Sequence, residues 1–321
     1  MEKQRRQTAL IVQAARLYYQ HAYSQQQIAG KLGISRPGVS RLLQQARDRG
    51  IVRIEIIDPA DHGSALEEAL KNKFSLRRAI VVPNDNNSST VIKQRLGQAC
   101  NALLNELLQP GMILGISWGT TMLQVARHVQ PRPLRDSIVV QLNGGVSRAQ
   151  YNTHASEVAQ RLGELFGGIP YLLPLPAIVD NAGMKEAILN DKNIRRTFEL
   201  ARQASIAVFT IGSFGYDSLL VRSDYFDKSE VDALLQQGAV ADICSRIIDH
   251  DGRICSPELD ARTIGIQLAE LRDKEYAIAV AGGREKLAAI RAALNGHYCN
   301  VLVTDEWVAE RLLNDKESKQ T

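Results

Sequence analysis

Residues 24–49 have the sequence SQQQIAGKLGISRPGVSRLLQQARDR, which predicts two short helices joined by a tight turn. Ser24 and Gln27 have the spacing of a capping box for the first helix, and Ser35 can cap the second. Gly33 lies between the two helices, where the chain must turn. One face of the pair is apolar at helical spacing and consists of Ile28, Leu32, Ile34, Val39, Leu42 and Leu43. This pattern is typical of a helix-turn-helix.

The exposed start of the second helix carries side chains that suit DNA. Its hydroxyl and guanidinium groups can donate hydrogen bonds to phosphates and to the acceptors of guanine in a major groove. The predicted DNA-binding residues are Gln25, Gln26, Ser35, Arg36, Pro37, Gly38, Ser40, Arg41 and, after the helix, Arg53. The alternative is an ordinary helical hairpin with a solvated basic face. Both caps and the small residues near the turn favour DNA binding.

The length and composition predict a globular chain of two domains. It has 321 residues, of which 45% are hydrophobic and 23% are charged. Residues 1–60 hold ten Lys and Arg against four Asp and Glu, whereas the remainder holds 29 against 31. The positive charge is therefore concentrated around the helix-turn-helix, as phosphate binding requires.

Several features bear on the location of the protein and on metals. The four scattered cysteines lack CxxC spacing and predict thiols in a reducing cytosol. The N-terminal MEKQRRQ has no apolar signal core, and no apolar run approaches the roughly 20 residues of a membrane span. Residues 249–252, DHDG, predict a tight turn rather than a metal site. We expect a cytoplasmic protein without a cofactor, a metal or membrane contact.

The segments around the helix-turn-helix complete a DNA-binding unit and lead into a second domain. Residues 4–20 predict a helix that packs across the other two, and IVRIEII at 51–57 predicts a strand, so a winged-helix-like unit is expected. Beyond residue 65, apolar strands are predicted at 79–83, 112–117, 137–142, 171–176, 206–212, 276–282 and 300–304. Amphipathic helices are predicted at 65–73, 91–108, 120–129, 153–166, 183–204, 229–237, 284–295 and 306–313. This alternation predicts an α/β domain with a mostly parallel sheet covered on both faces.

Three glycine-containing loops follow predicted strands, and ligands of such folds bind beyond the carboxyl ends of the strands. Residues 118–122, WGTTM, open a helix whose backbone N–H groups, hydroxyls and positive end can hold a phosphate. Residues 143–145, NGG, expose backbone, and residues 282–286, GGREK, add two cations. Asp242 can accept hydrogen bonds from sugar hydroxyls. Together these loops predict a site for a small phosphorylated polyol.

Two classes of enzyme are alternatives to a binding protein. Residues 115–119, GISWG, satisfy the nucleophile elbow of serine hydrolases between a strand and a helix. A hydrolase would need a histidine after the last strand, but His297 precedes that strand. A sugar-phosphate isomerase would share the phosphate site but needs a positioned acid and base, which none of these loops supplies.

Five segments in chain order carry a resemblance to a known family: SQQQIAGKLGISRPGVSRLLQQARDRGIVRIEI, GISWGTTM, VVQLNGGVS, GAVADICSR and VAGGREK. They resemble the SorC-type sugar-responsive transcription regulators over nearly the whole chain. The resemblance implies a DNA-binding domain over 1–58 and an effector and oligomerisation domain over 59–321, with a NagB/RpiA/CoA-transferase-like sheet. It implies dimers or tetramers on palindromic operator DNA and a phosphorylated sugar as inducer. The effector residues that it implies, with Asn143 from the second loop, are Gly119, Thr120, Thr121, Met122, Gly144, Gly145, Asp242 and Lys286.

One position departs from a covalent mode of sugar binding. A regulator that traps an open-chain aldehyde sugar as a Schiff base would need a lysine in the second loop, where this chain has Asn143. We therefore expect non-covalent binding unless Lys286 takes that part. We expect the protein to be a ligand-controlled transcriptional regulator that represses a sugar or deoxyribonucleoside operon. Deoxyribose 5-phosphate is one candidate effector.

Overall fold

The computed structural model describes residues 2–52, 62–85, 88–146 and 152–314. The chain divides into two compact units, Met1–Pro59 and Ala60–Thr321. Within the described residues, no helix is long and apolar enough to cross a membrane.

The first unit is helical. Its helices are α1 (Glu2–Ala15), extended by a π-helical turn at Arg16–Gln20, then α2 (Gln25–Leu32) and α3 (Arg36–Asp48). The capping box at Ser24 is present, and Ser35 Oγ accepts a hydrogen bond from the backbone N–H of Gly38 at 3.3 Å. Gly33 adopts the left-handed conformation, with φ of 65°, and ends α2. The two helices, their caps and their turn agree with the sequence prediction.

The core of this unit lies where the three helices meet. Its buried residues are Ile11, Ala14, Ala15, Ile28, Ala29, Val39, Leu42, Leu43 and Ala46. Leu32 and Ile34, predicted for the same face, are partly buried against this core. The strand predicted at 51–57, with Arg53, lies outside the described residues except for Ile51 and Val52, which form a bend.

The second unit consists of alternating helices and strands. Its strands are β1 (Arg78–Val82), β2 (Ile113–Ile116), β3 (Ile138–Gln141), β4 (Ile169–Tyr171), β5 (Ile206–Phe209), β6 (Ile211–Ser213), β7 (Ala239–Ile243), β8 (Arg246–Asp249), β9 (Tyr276–Val280) and β10 (Val301–Asp305). Its helices are α4 (His62–Phe74), α5 (Ser89–Leu107), α6 (Thr120–His128), α7 (Ala155–Phe166), α8 (Ala182–Leu189), α9 (Lys192–Gln203), α10 (Leu219–Arg222), α11 (Lys228–Gln236), α12 (Pro257–Arg262), α13 (Leu268–Arg272), α14 (Leu287–Asn295) and α15 (Glu306–Asn314).

Seven of these strands form a sheet with the order β1-β10-β9-β5-β2-β3-β4, and every pairing in it is parallel. Side chains of the buried strands alternate between the two faces. In β5, Ala207 and Phe209 join the core on one face, whereas Ile206 and Val208 join the core on the other. Helices α4, α9, α14 and α15 cover the first face and α5, α6 and α7 the second. The predicted parallel α/β sheet with two covered faces is confirmed.

Other predicted elements were wrong in their bounds or kind. The strand expected at 171–176 is β4 at Ile169–Tyr171, since Pro174 and Pro176 cannot donate to a sheet ladder. The strand expected at 206–212 is two strands in different sheets, β5 and β6. The helix expected at 183–204 is broken into α8 and α9, with Asp191 capping the second. A second sheet of three antiparallel strands, β6-β7-β8, was not predicted at all.

Candidate functional site

A cavity of about 320 Å³ lies at the carboxyl ends of β2 and β5. This volume is near the lower end of the roughly 300–1,000 Å³ in which proteins bind small molecules. The lining residues are Lys93, Ser117, Trp118, Gly119, Thr120, Thr121, Asn143, Thr210, Gly212, Ser213, Asp217, Ser218, Leu219, Arg222, Asp242, Cys244, Ser245, Glu285 and Lys286. Six of the nine predicted effector residues are therefore brought together: Gly119, Thr120, Thr121, Asn143, Asp242 and Lys286.

The strand order explains the position of the cavity. β2 and β5 are neighbours, but β2 is next to β3 on its other side and β5 is next to β9. The chain therefore leaves the two strands in opposite directions, and a crevice opens between the loops that follow them. Open α/β sheets bind ligands at such a switch point.

The start of α6 forms one wall of the cavity. No side chain among the described residues caps this helix at Gly119, whose own N–H donates to the carbonyl of Thr153 at 3.0 Å. The N–H groups of the first helical turn have no acceptor within the helix. Thr120 and Thr121 thus present backbone N–H groups, hydroxyls and the positive end of a helix to the cavity.

The opposite wall carries Asp242 of β7 and Lys286, which lies just before α14. Both side chains are half-buried. Lys286 Nζ donates to the carbonyl of Ile211 at 2.5 Å, and burial lowers the pKa of Lys286, against the attraction of Asp242. Burial raises the pKa of Asp242 to about 6, against the stabilising charge of Lys286 and a hydrogen bond from the backbone of Ser245. The wall therefore offers one cation and one carboxylate acceptor in surroundings of low polarity.

The third glycine-containing loop holds Lys286 in place. The N–H of Gly283 donates to the carboxylate of Asp305 at 2.6 Å, and Asp305 is fully buried. Ser213 Oγ donates to the carbonyl of Glu285 at 2.7 Å. The loop is thus fixed to both the parallel and the antiparallel sheet.

Asn143 lies two residues after the end of β3 and is 1% exposed. Its Nδ2 donates to Ser245 Oγ at 2.8 Å. Its Oδ1 accepts no hydrogen bond from any described residue. Asn143 thus lines the cavity and carries a buried, unsatisfied acceptor.

The other three predicted effector residues do not line the cavity. Met122 points into the core between the sheet and its helices and is fully buried. Gly144 accepts a hydrogen bond from Trp118 Nε1 at 2.8 Å, and a Cβ on Gly145 would lie 2.8 Å from Trp118 Cδ1. The two glycines allow Trp118 to pack closely over the second loop.

Sequence reasoning missed much of the lining. Thr210, Ser213, Asp217, Ser218 and Arg222 all come from the chain after β5. The rule that ligands bind beyond the carboxyl ends of strands could have found them, had the predicted strand at 206–212 been ended at Phe209. That rule could not have found Lys93, which lies in α5, or Ser245, which lies in the turn between β7 and β8.

The arrangement around Ser117 does not support a nucleophile. Its side chain is 5% exposed and its Oγ accepts a hydrogen bond from the N–H of Thr210 at 3.1 Å. Histidine is not among the described residues that line the cavity. Among the described residues, the cavity wall therefore offers no imidazole that could act as a base for this hydroxyl.

Of the predicted DNA-binding residues that the structure describes, Gln25 and Gln26 lie at the start of α2 and the others lie at the start of α3. Ser35, Arg36, Pro37, Ser40, Arg41 and Gln26 are exposed, whereas Gln25 and Gly38 are half-buried. Arg41 Nε lies 3.5 Å from the carbonyl of Pro37, so its guanidinium stays close to the start of the helix. Exposed donors at the start of a second helix have the arrangement that reads a major groove.

Comparison with known proteins supports the regulator class. A family model described as "Putative sugar-binding domain" matches residues 58–314. The deoxyribonucleoside regulator of Bacillus subtilis (strain 168) is 44% identical over 98% of this chain and 100% of its own length. The sorbitol operon regulator of Klebsiella pneumoniae is 32% identical over 95% of this chain and 97% of its own length.

A solved structure agrees with both relatives. The crystal structure of the full-length sorbitol operon regulator SorC from Klebsiella pneumoniae superposes with a TM-score of 0.79 at 31% identity, covering 96% of this chain and 99% of that one. The fold and the matches define a sugar-binding transcriptional regulator rather than an enzyme. The chain belongs to the SorC-type sugar-responsive transcription regulators, and the resemblance seen in the sequence is confirmed.

Proposed function

We propose that this protein represses a sugar or deoxyribonucleoside catabolic operon and that a phosphorylated sugar, such as deoxyribose 5-phosphate, controls its hold on operator DNA. It acts in the cytoplasm as a homo-oligomer, a dimer or tetramer, on a palindromic site. The name of the Bacillus subtilis relative favours an effector from deoxyribonucleoside metabolism.

One observation carries the proposal. The start of α6, which no side chain among the described residues caps, lines the same cavity as Asp242 and Lys286. A phosphate is stabilised by N–H groups and the positive end of a helix. A carboxylate accepts hydrogen bonds from sugar hydroxyls. Since both kinds of group line one small cavity, a sugar phosphate is the ligand that satisfies them together.

DNA binding is assigned to residues 1–58 and effector binding to residues 59–321. In this assignment α3 enters the major groove, where Arg36 and Arg41 contact bases or phosphates and Ser35 and Ser40 contact phosphates. Two copies of α3 in an oligomer read two half-sites. The effector binds one arrangement of the DNA-binding domains more tightly than the other, and it shifts the population towards the arrangement that fits the operator poorly.

The proposal is tested with the full-length protein and fluorescent duplex DNA from the region upstream of its own gene. Fluorescence anisotropy gives the Kd for DNA with and without millimolar deoxyribose 5-phosphate. We expect the phosphorylated sugar to raise that Kd at least about tenfold, which is about 1.4 kcal/mol of coupling. Free deoxyribose and inorganic phosphate are the controls and should have little effect. The proposal fails if no pentose or hexose phosphate changes the Kd.

A further inference from the structure

The buried amide of Asn143 has a hydrogen-bonding capacity that the protein itself does not use. Its Nδ2 is occupied by Ser245, while its Oδ1 has no partner among the described residues. Buried carbonyl oxygens are nearly always hydrogen-bonded, because removal from water without a new partner is unfavourable. An unsatisfied oxygen on a cavity wall is therefore a place where a ligand donor is expected.

The backbone of Asn143 is held rigidly. It pairs with Gly265 in an antiparallel bridge, and the N–H of the next residue donates to the carbonyl of Ile264 at 3.0 Å. A Cβ on Gly265 would lie 2.9 Å from Asn143 Cβ, so the two segments approach closely. The fully buried Arg246 donates to the carbonyls of Gly265 and Ile266 at 2.8 and 2.7 Å. This support fixes the position of the amide before any ligand binds.

Ser245 connects Asn143 to Asp242. Cys244 and Ser245 form the turn between β7 and β8, and both are non-glycine residues with positive φ, 49° and 69°. Such backbone is uncommon and gathers at functional sites, where the surrounding structure maintains it. In this turn Ser245 Oγ accepts from Asn143, and the Ser245 backbone N–H donates to the Asp242 carboxylate. One strained residue therefore orients both acceptors.

We propose that Asn143 determines which phosphorylated sugar this regulator accepts. Its Oδ1 receives a hydrogen bond from one hydroxyl of a non-covalently bound sugar phosphate, beside Asp242. This inference rests on the proposed function of the cavity and specifies the ligand further. Since Asn143 Oδ1 and an ionised Asp242 only accept hydrogen bonds, the ligand must present donors to this wall.

The test is a set of ligands that differ at single hydroxyls. Isothermal titration calorimetry of the full-length protein compares ribose 5-phosphate and 2-deoxyribose 5-phosphate with analogues in which one hydroxyl is replaced by hydrogen or by fluorine. We expect one position where either replacement weakens binding about 10- to 100-fold, because fluorine cannot donate a hydrogen bond. If fluorine restores affinity at every sensitive position, the wall offers a donor rather than an acceptor, and the inference is overturned.

A variant of Asn143 tests whether this residue is the acceptor for that hydroxyl. Asn143→Leu keeps the side-chain volume but removes the acceptor together with the hydrogen bond to Ser245, so the variant should bind the parent ligand as weakly as the wild type binds the hydrogen analogue. Its preference for the hydroxyl should disappear. Ser245→Ala removes that hydrogen bond but leaves the Asn143 acceptor, and it should keep the preference for the hydroxyl. Asn193→Leu, which changes an exposed asparagine on α9, is the matched control and should keep the full preference.

The outcomes separate the two proposals. If sugar phosphates bind the wild type but no hydroxyl preference depends on Asn143, the inference is wrong and the proposed function stands. If no pentose or hexose phosphate binds the wild type at all, both are wrong. Should Asn143→Leu fail to fold, the smaller Asn143→Ala variant, which also lacks the acceptor, takes its place in the same titrations.

Discussion

The α-carbon of Gly212 lies directly beneath the carboxylate of Asp242. The two residues are partners in the antiparallel register of β6 and β7. A Cβ on Gly212 would lie 1.9 Å from Asp242 Oδ2 and 2.9 Å from its Cγ, which is far inside contact distance. The carboxylate occupies its position on the cavity wall only because residue 212 has no side chain.

Replacement of Gly212 by alanine should therefore act through Asp242. In Gly212→Ala the new methyl group displaces the carboxylate, and we expect the affinity for the effector to fall about tenfold or more through loss of a charged hydrogen bond. Calorimetry with deoxyribose 5-phosphate measures the change. Gly215→Ala is the control, since a Cβ there meets open space. Unchanged affinity in Gly212→Ala would show that Asp242 does not touch the ligand.

The half-buried charge of Asp242 should lower the stability of the protein. Burial raises its pKa from 3.8 to about 6, so the folded state binds a proton that the unfolded state releases between these pH values. Stability therefore decreases as the pH rises from 4 to 6, and the cost is fully present above 6. Asp242→Asn should raise the free energy of unfolding by about 1–2 kcal/mol at pH 7.5 and by less at pH 4.5.

Urea titrations at the two pH values measure this difference. Asp217→Asn alters an exposed carboxylate on the same cavity and should not reproduce it. The same Asp242→Asn protein should respond more weakly to the effector, because an amide accepts a weaker hydrogen bond than a carboxylate. Equal stability gains at both pH values would be inconsistent with a buried titrating carboxylate.

Binding of aldehyde sugars should be non-covalent. Asn143 cannot form an imine, and Lys286 Nζ already donates to the carbonyl of Ile211. Incubation with deoxyribose 5-phosphate followed by borohydride should leave the intact mass of the wild type unchanged. Asn143→Lys, which places an amine in the cavity, is the positive control and should gain the mass of one reduced sugar phosphate. An adduct that maps to Lys286 in the wild type would contradict this prediction.

Two glycines of α2 should respond oppositely to alanine. Gly33 ends the helix with a φ of 65°, so Gly33→Ala should destabilise the protein by about 1–2 kcal/mol. Gly30 lies inside the same helix with nothing within 4 Å of a Cβ, so Gly30→Ala should stabilise it by about 0.5–1 kcal/mol. Chemical denaturation of the two variants checks both signs. A Gly33→Ala protein as stable as the wild type would refute the left-handed turn.

The start of α3 should carry the contacts with DNA. Arg36→Ala and Arg41→Ala should each weaken operator binding by about 1–3 kcal/mol if the side chain reads a base. If the side chain instead contacts a phosphate, the variant should reduce the slope of log Kd against log salt concentration by about one, because one fewer counterion is released. Arg49→Ala, at the other end of α3, is the control. Anisotropy titrations at several salt concentrations distinguish these results, and wild-type affinity with unchanged salt dependence in both variants would exclude this surface.

Much of the fold could be predicted from patterns among residues that are close together in the sequence. The caps at Ser24 and Ser35 and the turn at Gly33 depend on residues within three or four positions of one another, so the helix-turn-helix can be recognised locally. The parallel sheet could be predicted because its buried strands, such as β5, are short apolar runs between amphipathic helices. The antiparallel sheet escaped prediction, since β6 is a three-residue strand that continues the apolar run of β5.

The sequence by itself determined the helix-turn-helix and the alternation of apolar strands and amphipathic helices that forms the parallel sheet, because each depends on neighbouring residues. Only the tertiary structure decided which side chains share the cavity. Asp242 stands over Gly212, and Asn143 meets Ser245 across 102 positions of the chain. Met122, in the first turn of α6 beside the cavity residues Thr120 and Thr121, instead points into the core. The direction of a side chain at the end of a strand is set by the packing of distant segments, which local sequence does not specify.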